Sequence, residues 1–519
     1  MSGLMKKTAG IAAGVVVALG AIGAAGAWYT GTQLPNALQG AIEEANRNSQ
    51  EALLGTGIVT SLELVSLETR LFSSTAHYRV SFDAPAYRKA PAKMEFLLVD
   101  EIQHGPFPAS RLTQFNIWPV MTASHYQLQP NEFTRKWFEA AKGTAPLTGQ
   151  TSLGYDGSAT GSLVFTPLDF APTSTSSVRF SGLTLDIEAS RHAAEVLVSG
   201  GMQSLMINAA DGENNAVQVE LRDLSVHSDQ HRGSGDFYLG DSSLKLAAAR
   251  FKVGDKPAVL LKDLSQSGNL QEVGGALEGR IGYDIGTVSY GSKDLAGIHM
   301  LWSLKNFDAA AVQSLIELYR EKLTAVQQAQ ALGENAPVAM TSADEERLKV
   351  DIGHLLGAKP RIALEEFSIK TRKGEAKLSV SLDLNEPESF ELPPPELARQ
   401  MIARLDARLS VGKGIIGDGV RAQAMLAGES DAKAIEEQAT QFTEMGSGIA
   451  LGAGLLTLEG ENLQSSLHYA DDVVTFNGQD MTVEEFVMFA MSRAGGLGGG
   501  MAGHELPEGD YEEGYDPDA

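Results

Sequence analysis

The stretch Val217-Gln-Val-Glu-Leu221 decides the fold of this chain, because apolar and polar residues alternate along it. Alternation with a period of two is typical of a β-strand that turns one face toward an apolar layer. Similar short strands follow one another from Thr148 to about Ser303, separated by clusters of Asp, Gly, Asn and Ser. Successive short strands with brief turns predict an antiparallel, meandering sheet. We expect a long curved sheet or an open, barrel-like trough.

A short phrase recurs within this region. Leu221-Arg-Asp-Leu-Ser225 is repeated as Leu261-Lys-Asp-Leu-Ser265, which indicates repeated strand or hairpin units. The repetition is too degenerate for a named solenoid.

Helical patterns interrupt the strands in the second half of the chain. Apolar residues from Val312 to Val326 follow helical spacing after a cap at Asp308. Ser342-Ala-Asp-Glu345 reads as a capping box that opens a second helix, which Gly357 ends. We expect these two helices to form a hairpin over the sheet, and a β-hairpin to follow them. Shorter helices are predicted near 396–404 and 430–445, and Thr482-Val-Glu-Glu485 reads as another capping box that starts a C-terminal helix.

The N-terminus carries an apolar run that follows Lys6 and Lys7. About 20 helical residues span the ~30 Å hydrocarbon core of a bilayer, and lysines stay on the cytoplasmic side. Ala25-Gly26-Ala27 also fits a signal-peptidase site, so a cleaved signal peptide is the competing interpretation. The length of the run favours an uncleaved anchor, and both interpretations export the body. The predicted anchor residues are Ala9, Val16, Leu19, Ile22, Trp28 and Tyr29.

Together these patterns predict an α+β fold dominated by β structure. An N-terminal transmembrane helix precedes one or more long curved antiparallel sheets with a helical hairpin and short C-terminal helices. The predicted segments are an anchor at 1–31, a membrane-proximal α+β segment at 32–147, an antiparallel β-rich region at 148–305, a helical hairpin with a β-hairpin at 306–392, a C-terminal α+β segment at 393–493 and a disordered, Gly-rich acidic tail at 494–519.

Composition excludes several classes of function. The 519 residues include no cysteine, which excludes disulfides, thiolate metal sites and cysteine nucleophiles. The net charge of −25 argues against nucleic acid as a partner, because its binding needs a basic surface.

Four local motifs are candidate sites. His227-Ser-Asp-Gln-His231 has helical metal-ligand spacing, but we interpret it as a polar surface turn. Gly412-Lys-Gly-Ile-Ile-Gly417 spells a nucleotide-loop pattern outside a parallel βαβ unit, and a mobile loop is favoured. Asp471-Asp472 fits a β-turn. His104-Gly105-Pro106-Phe107-Pro108 predicts a rigid structural corner, and a ligand-facing His104 is the alternative. No catalytic, cofactor or metal site is predicted.

Several motifs, taken in order, resemble the YdgA-like family of bacterial inner-membrane-anchored envelope proteins, a domain of unknown function. The motifs run from the anchor to about residue 491 and are Ala27-Trp-Tyr-Thr-Gly31, Phe72-Ser-Ser74, His104-Gly-Pro-Phe-Pro108, Ala141-Lys-Gly143 and Phe476-Asn-Gly-Gln479 with Glu485-Phe-Val487. The resemblance implies a Gram-negative inner membrane, a periplasmic β-rich body with the N-terminus in the cytoplasm, and no established catalytic residues.

We therefore expect a non-catalytic envelope protein that binds a lipid or another apolar ligand in a β trough. A scaffold or oligomeric assembly protein that recruits partners at strand edges is the alternative. A hydrolase acting on envelope polymers is a remote third, and it would need two carboxylates converging in a cleft. An open apolar concave face would favour the lipid.

Overall fold

The computed structural model describes residues 38–40, 42–43, 45–47, 49, 53, 58–83, 93–113, 115–173, 175–211, 215–235, 237–331 and 340–501. None of the helices within these ranges is long and apolar enough to cross a membrane. The predicted anchor residues from Ala9 to Tyr29 lie outside the described residues.

The described chain is dominated by 22 strands joined in one sheet. Their bounds are β1 Val59–Thr69, β2 Ser73–Asp83, β3 Lys93–His104, β4 Thr122–Gln129, β5 Leu147–Leu153, β6 Ala159–Phe165, β7 Leu168–Thr173, β8 Ser176–Phe180, β9 Leu183–Ala189, β10 Glu195–Asp211, β11 Asn215–Arg232, β12 Tyr238–Val253, β13 Val259–Val273, β14 Ala276–Tyr290, β15 Lys293–Asp308, β16 Arg361–Lys370, β17 Glu375–Leu384, β18 Ile402–Gly412, β19 Thr457–Glu459, β20 Asn462–Ala470, β21 Val473–Phe476 and β22 Gln479–Thr482.

Helices occupy the connections between strands. The described residues between 38 and 49 are helical and are called α1. The others are α2 Ala109–Leu112, α3 Arg135–Ala140, α4 Ala309–Ala331, α5 Ser342–Gly357, α6 Pro394–Met401, α7 Lys413–Ala427, α8 Ala432–Gly452 and α9 Val483–Met501. The β-dominated architecture with few helices confirms the fold class at this level.

The sheet is an antiparallel meander in chain order. Strands β1 to β6 pair successively, β6 pairs with β9, and the ladder then continues from β9 to β18 and on to β20, β21 and β22. The β7–β8 hairpin adds to the second half of β10, and β19 pairs with the start of β20. Among the described pairings, β1 joins only β2 and β22 joins only β21, so both edges of the sheet are open.

Strands β10 to β15 are longer than the short strands predicted from sequence, since β11 alone has 18 residues. The alternation breaks within the repeated phrase, because Leu221 and Leu224 are three residues apart. Asp223 has a left-handed φ of 52° and is left out of the pairing with β12, together with Ala247 opposite it, and the pairing resumes in the same register at Leu224. Asp263 does the same in β13, also at φ 52°. The alternation is interrupted at these residues while the register is kept, so each long strand continues through the break.

The left-handed backbone conformation of Asp263 gives a first prediction. Replacing Asp263 with Val should lower the free energy of unfolding by about 1–2 kcal/mol, because a β-branched residue is disfavoured at positive φ. Replacing it with Gly, which adopts this conformation freely, should leave stability unchanged or higher. Chemical unfolding followed by circular dichroism measures both variants. Equal destabilisation by Val and Gly would show that the Asp263 side chain, not its backbone conformation, matters.

Three predicted helix starts are tested by hydrogen bonds. Asp308 Oδ1 accepts the Ala311 amide at 2.8 Å, which confirms that cap. At α9, the Thr482 hydroxyl accepts the Glu485 amide at 3.2 Å and the Glu485 carboxylate accepts the Thr482 amide at 2.9 Å, which confirms that capping box. At α5 the prediction is wrong by one residue, because Thr341 caps the helix and Asp344 completes its box.

The mobile loop predicted at Gly412 to Gly417 is also wrong. Gly412 ends β18 and Lys413 begins α7, so these glycines lie in regular structure. Gly414 lies against the turn between β16 and β17, where an added Cβ would approach the Lys373 carbonyl oxygen to 2.1 Å. The glycine therefore permits close packing instead of flexibility. At the other end of this region, α9 continues to Met501, past the predicted start of the tail at residue 494.

The main core lies under α1 at the N-terminal end of the sheet. Leu38, Ile42 and Ala45 of α1 pack with buried side chains from β1 to β6 and β9, among them Phe82 and Leu98. All of these strand residues lie on the same face of the sheet, as the register of successive pairs shows.

Candidate functional site: the apolar face of the sheet

An unbroken row of apolar side chains crosses the sheet from β10 to β20. Each member is the cross-strand partner of the next, so all of them lie on one face. The row consists of Met202, Leu224, Leu246, Leu264, Ile285, Ile298, Ile369, Ala376, Val411 and Leu463. With strands ~4.8 Å apart, the row is roughly 40 Å long. We call the side of the sheet that carries this row the apolar face.

The next row of the same strands is polar throughout. Successive partners there project from the opposite face, because side chains alternate along each strand. This row consists of Ser225, Lys245, Ser265, Asp284, His299, Ser368, Lys377, Ser410 and Gln464. His299 Nδ1 and Asp284 Oδ1 lie 2.6 Å apart in it. The sheet from β11 to β20 is therefore strongly two-sided.

The apolar face is covered at its beginning and again where the start of α4 packs over Leu277, and it is partly open elsewhere. Over β1 to β6 it lies beneath α1 in the main core. In the long strands, Leu244 and Tyr283 are each 41% exposed and Trp302 is 39% exposed. Between its buried ends, Met202 and Leu463, the apolar row itself is only partly buried. Apolar surface of this kind, when it is open to solvent, is a candidate binding surface.

The covered part of the apolar face contains a buried polar cluster. Asp100 on β3 is fully buried between Ala76 and Tyr126 on the neighbouring strands, and Ser124 donates a hydrogen bond to its Oδ1. Burial raises the pKa of Asp100 to about 7, against the effect of the Ser124 hydrogen bond and with a smaller contribution from Glu101. Burial, with the charge of Asp100, also raises the pKa of Tyr126.

Some atoms of this cluster lack partners within the described residues. Asp100 Oδ2 and the Tyr78 hydroxyl have no hydrogen-bond partner among the described residues. Tyr126 fits because its cross-strand partner is Gly149, where an added Cβ would lie 2.2 Å from the Tyr126 ring. Asp100 was not among the sites predicted from sequence. The available signal was a carboxylate at the position between Leu98 and Ile102 that faces the core of an alternating strand.

The predicted corner begins at the last residue of β3. His104 is buried, and its Nε2 lies 2.9 Å from the Ser74 hydroxyl oxygen. Burial lowers the pKa of His104, which favours the neutral imidazole. Gly105 has a φ of 102°, and the Pro106 carbonyl accepts the Val120 amide at 3.0 Å. His104 therefore faces a strand neighbour, while Phe107 is exposed.

The other predicted motifs do not come together. His227, Asp229 and His231 lie on β11 and not in a turn, so that part of the interpretation is wrong, and all three are exposed. The two histidines are four strand residues apart, roughly 13 Å, which is too far for one metal ion. Among the described residues no group of three or more His, Cys, Asp or Glu is placed to hold a metal. Asp471 and Asp472 have φ values of 50° and 61° between β20 and β21, which confirms the turn.

A groove crosses β16, β17, β18 and β20, with a volume of 320 Å³. It is lined by Glu366, Lys377 and Arg408, among others. Lys377 lies 3.5 Å from Glu366 and 3.4 Å from Glu375, so its charge is already compensated. This arrangement supplies a solvated polar surface more than a ligand site.

The chain is similar to a family of bacterial proteins along most of its length. A family described as bacterial protein of unknown function (DUF945) matches residues 5–484. Protein YdgA of Escherichia coli K12 is 26% identical over 488 residues, which cover 93% of this chain and 96% of YdgA. The uncharacterized protein YihF of the same organism is 23% identical over 492 residues, covering 93% of this chain and 98% of YihF.

A third relative matches a shorter part of this chain. An uncharacterized protein of Haemophilus influenzae is 29% identical over 153 residues, which cover 29% of this chain and 40% of that protein. No solved structure matches this chain. The resemblance to YdgA inferred from sequence motifs is confirmed, and the chain belongs to the DUF945 family of bacterial proteins of unknown function.

Proposed function

We propose that this protein is a non-catalytic protein of the bacterial cell envelope, anchored in the inner membrane by residues 9–29, that binds phospholipid acyl chains on the apolar face. The observation that supports this proposal is the pairing of an unbroken apolar row with an unbroken polar row over the same strands. The body lies in the periplasm in this proposal, because Lys6 and Lys7 precede the anchor.

The dimensions of the apolar face suit acyl chains. A bilayer core of ~30 Å contains two opposed chains, so one chain is roughly 15 Å long. The apolar row, at roughly 40 Å, exceeds that length. Each methylene group moved from water to an apolar surface contributes about 0.8 kcal/mol, so a single chain laid on the face binds favourably. An open face also leaves the charged headgroup in water, which avoids the cost of burying it.

Assembly through the open edges is the second candidate function. Within the described residues, β1 and β22 each present an edge without a strand partner. Such edges can add a strand from another chain through main-chain hydrogen bonds. This candidate predicts protein neighbours at the edges and makes no use of the apolar face.

Photo-crosslinking in intact cells tests the proposed function. A benzophenone amino acid replaces Tyr283, which is exposed on the apolar face, in the full chain. The matched control replaces Asp284, the next residue on the same strand, which points to the opposite face. With phospholipids labelled by radioactive phosphate, we expect a labelled adduct from position 283 and little or none from position 284.

The outcomes separate the candidate functions. Equal labelling at both positions, or none at position 283, contradicts lipid binding on the apolar face. Adducts of position 283 with a protein would show that a polypeptide covers the face instead. Discrete oligomers trapped by probes at Glu63 of β1 would favour assembly through that edge.

A further inference from the structure

The most exposed apolar side chains of the described structure include a cluster in the loops at one end of the N-terminal strands. Phe115 is 92% exposed, Leu71 84% and Trp118 78%. We call this cluster the apolar rim, and its members are Leu71, Phe72, Phe107, Phe115, Ile117 and Trp118. These residues are large, and water surrounds most of each side chain, so the rim requires an explanation outside the fold itself.

The rim belongs to the β1–β2 and β3–β4 connections, and the β5–β6 connection adjoins them. In an antiparallel meander the β1–β2, β3–β4 and β5–β6 connections lie at the same end of the sheet. Hydrogen bonds join them directly. The His104 amide donates to the Phe72 carbonyl at 2.9 Å, and the Met121 amide donates to the Leu153 carbonyl at 2.7 Å. Arg111 Nη1 also donates to the Ser152 hydroxyl at 2.7 Å. The rim is therefore one surface on a rigid strand end.

The N-terminal part of the chain enters the described structure toward this same end. Asn46 of α1 is hydrogen-bonded to the backbone of Leu62, and Ser49 to the side chain of Thr60. Residues later in α1 therefore contact residues earlier in β1, so α1 runs antiparallel to β1. Leu38, at the other end of α1, is displaced toward the β1–β2 connection.

The short stretch of chain between the predicted anchor and α1 limits how far the anchor can lie from the rim. At ~3.4 Å per residue, the stretch between Tyr29 and Leu38 spans at most roughly 30 Å. A bilayer that holds residues 9–29 thus lies within that distance of the start of α1. The strand end nearest to Leu38 is the one that carries the rim.

The charge of the rim also suits a phospholipid surface. Although the whole chain has a net charge of −25, no acidic residue occurs between Gly105 and Met121. Arg111 lies in this segment, and Arg70, which precedes Leu71, is exposed with its guanidinium 4.0 Å from the Glu68 carboxylate, a surface pair that solvent screens. Arginine beside exposed Trp, Phe and Leu is the composition that binds the interface of an anionic bilayer.

We propose that the apolar rim inserts into the surface of the bilayer that holds residues 9–29. This inference rests on the anchor included in the proposed function, and it assigns the bilayer as the partner of the β1–β6 strand end. Insertion holds the sheet with its N-terminal end against the membrane. The apolar face, which is continuous from β1 to β20, then begins next to the lipids that it would bind.

Fluorescence from single labels tests the contact. Because the chain contains no cysteine, one introduced cysteine in the full chain takes one environment-sensitive dye. The dye is placed at Ile117 in the rim, and the control dye at Leu426 of α7, which is 58% exposed. Helix α7 begins directly after β18, at the strand end opposite the rim. The labelled chains are reconstituted into vesicles of phosphatidylethanolamine and phosphatidylglycerol. We expect blue-shifted emission and several-fold stronger quenching by nitroxide lipids at 117 than at 426.

Flotation of the same vesicles separates the two proposals. A chain that does not float with the vesicles overturns the anchor and the rim contact together. A chain that floats while its label at 117 remains in water overturns the rim contact alone. Phe115→Ser with Trp118→Ser should reduce quenching at 117 without loss of flotation, and since both side chains are exposed, this variant is expected to fold. Unchanged quenching in that variant also contradicts the proposal.

Discussion

Replacing Asp100 with Asn is expected to remove most of the pH dependence of stability between pH 5 and pH 8. Asp100 is fully buried, and burial raises the pKa of its carboxyl to about 7. In the unfolded chain the pKa of an aspartate is about 3.9. Between these values the folded protein holds a proton that the unfolded chain has lost, so the free energy of unfolding falls as the pH rises.

The size of this effect follows from the two pKa values. One pKa unit corresponds to about 1.4 kcal/mol, so the interval from pH 5 to pH 7 costs about 3 kcal/mol, and the loss is constant above pH 7. Asn does not titrate and retains an oxygen that can accept the Ser124 hydrogen bond. The variant should therefore be more stable than the native chain at pH 8, by an amount that shrinks toward pH 5.

Chemical unfolding of both chains at several pH values measures this difference. The buried His104, whose pKa is lowered, titrates nearby with the opposite effect on stability, but it is present in both chains and cancels in the comparison. Parallel curves for the native chain and Asp100→Asn would show that Asp100 titrates at an ordinary pKa. A loss of stability at pH 8 would show that the charged form is stabilised in the fold.

The two-sided character of the sheet was predictable from the sequence, but the length of its strands was not. Val217 to Leu221 alternates, and this is enough to predict a strand with one apolar face. The alternation fails at Asp223, and such a break fits either the end of a strand or a local distortion inside a longer one. Only the pairing partners decide between them, because the same register continues on both sides of Asp223 against β12. The full length of a strand was therefore not predictable where such a distortion occurs.

Features that depend on distant partners were not predictable from local patterns. Gly414 was assigned to a loop, whereas its function is to let the Lys373 turn approach. The rim was missed because Leu71 belongs to the β1–β2 connection and Phe115 and Trp118 to the β3–β4 connection, and only the antiparallel pairing places these two connections at one strand end. Asp100 occupies an apolar position in the alternation, and sequence alone does not show that the fold buries it completely.

Placing two carboxylates on the apolar face is expected to abolish lipid binding. Leu246 and Leu264 are direct cross-strand partners in the apolar row, and both are partly exposed. Asp at both positions puts two charges where acyl chains would lie, and an ion has no favourable contact with hydrocarbon. We expect labelled adducts from the benzophenone at position 283 to fall at least tenfold in Leu246→Asp with Leu264→Asp.

The matched control places the same two carboxylates on the opposite face of the same strands. Ser243 and Ser267 are also direct cross-strand partners, on the polar face of the same two strands. Ser243→Asp with Ser267→Asp adds the same two negative charges across the same two strands, so any general loss of sheet stability is comparable in the two variants. Adduct formation should persist in this control. If both variants lose the adduct equally, the effect reflects damage to the sheet. If neither loses it, the lipid lies elsewhere, because a bound acyl chain cannot remain on a face that carries two unpaired charges at its centre.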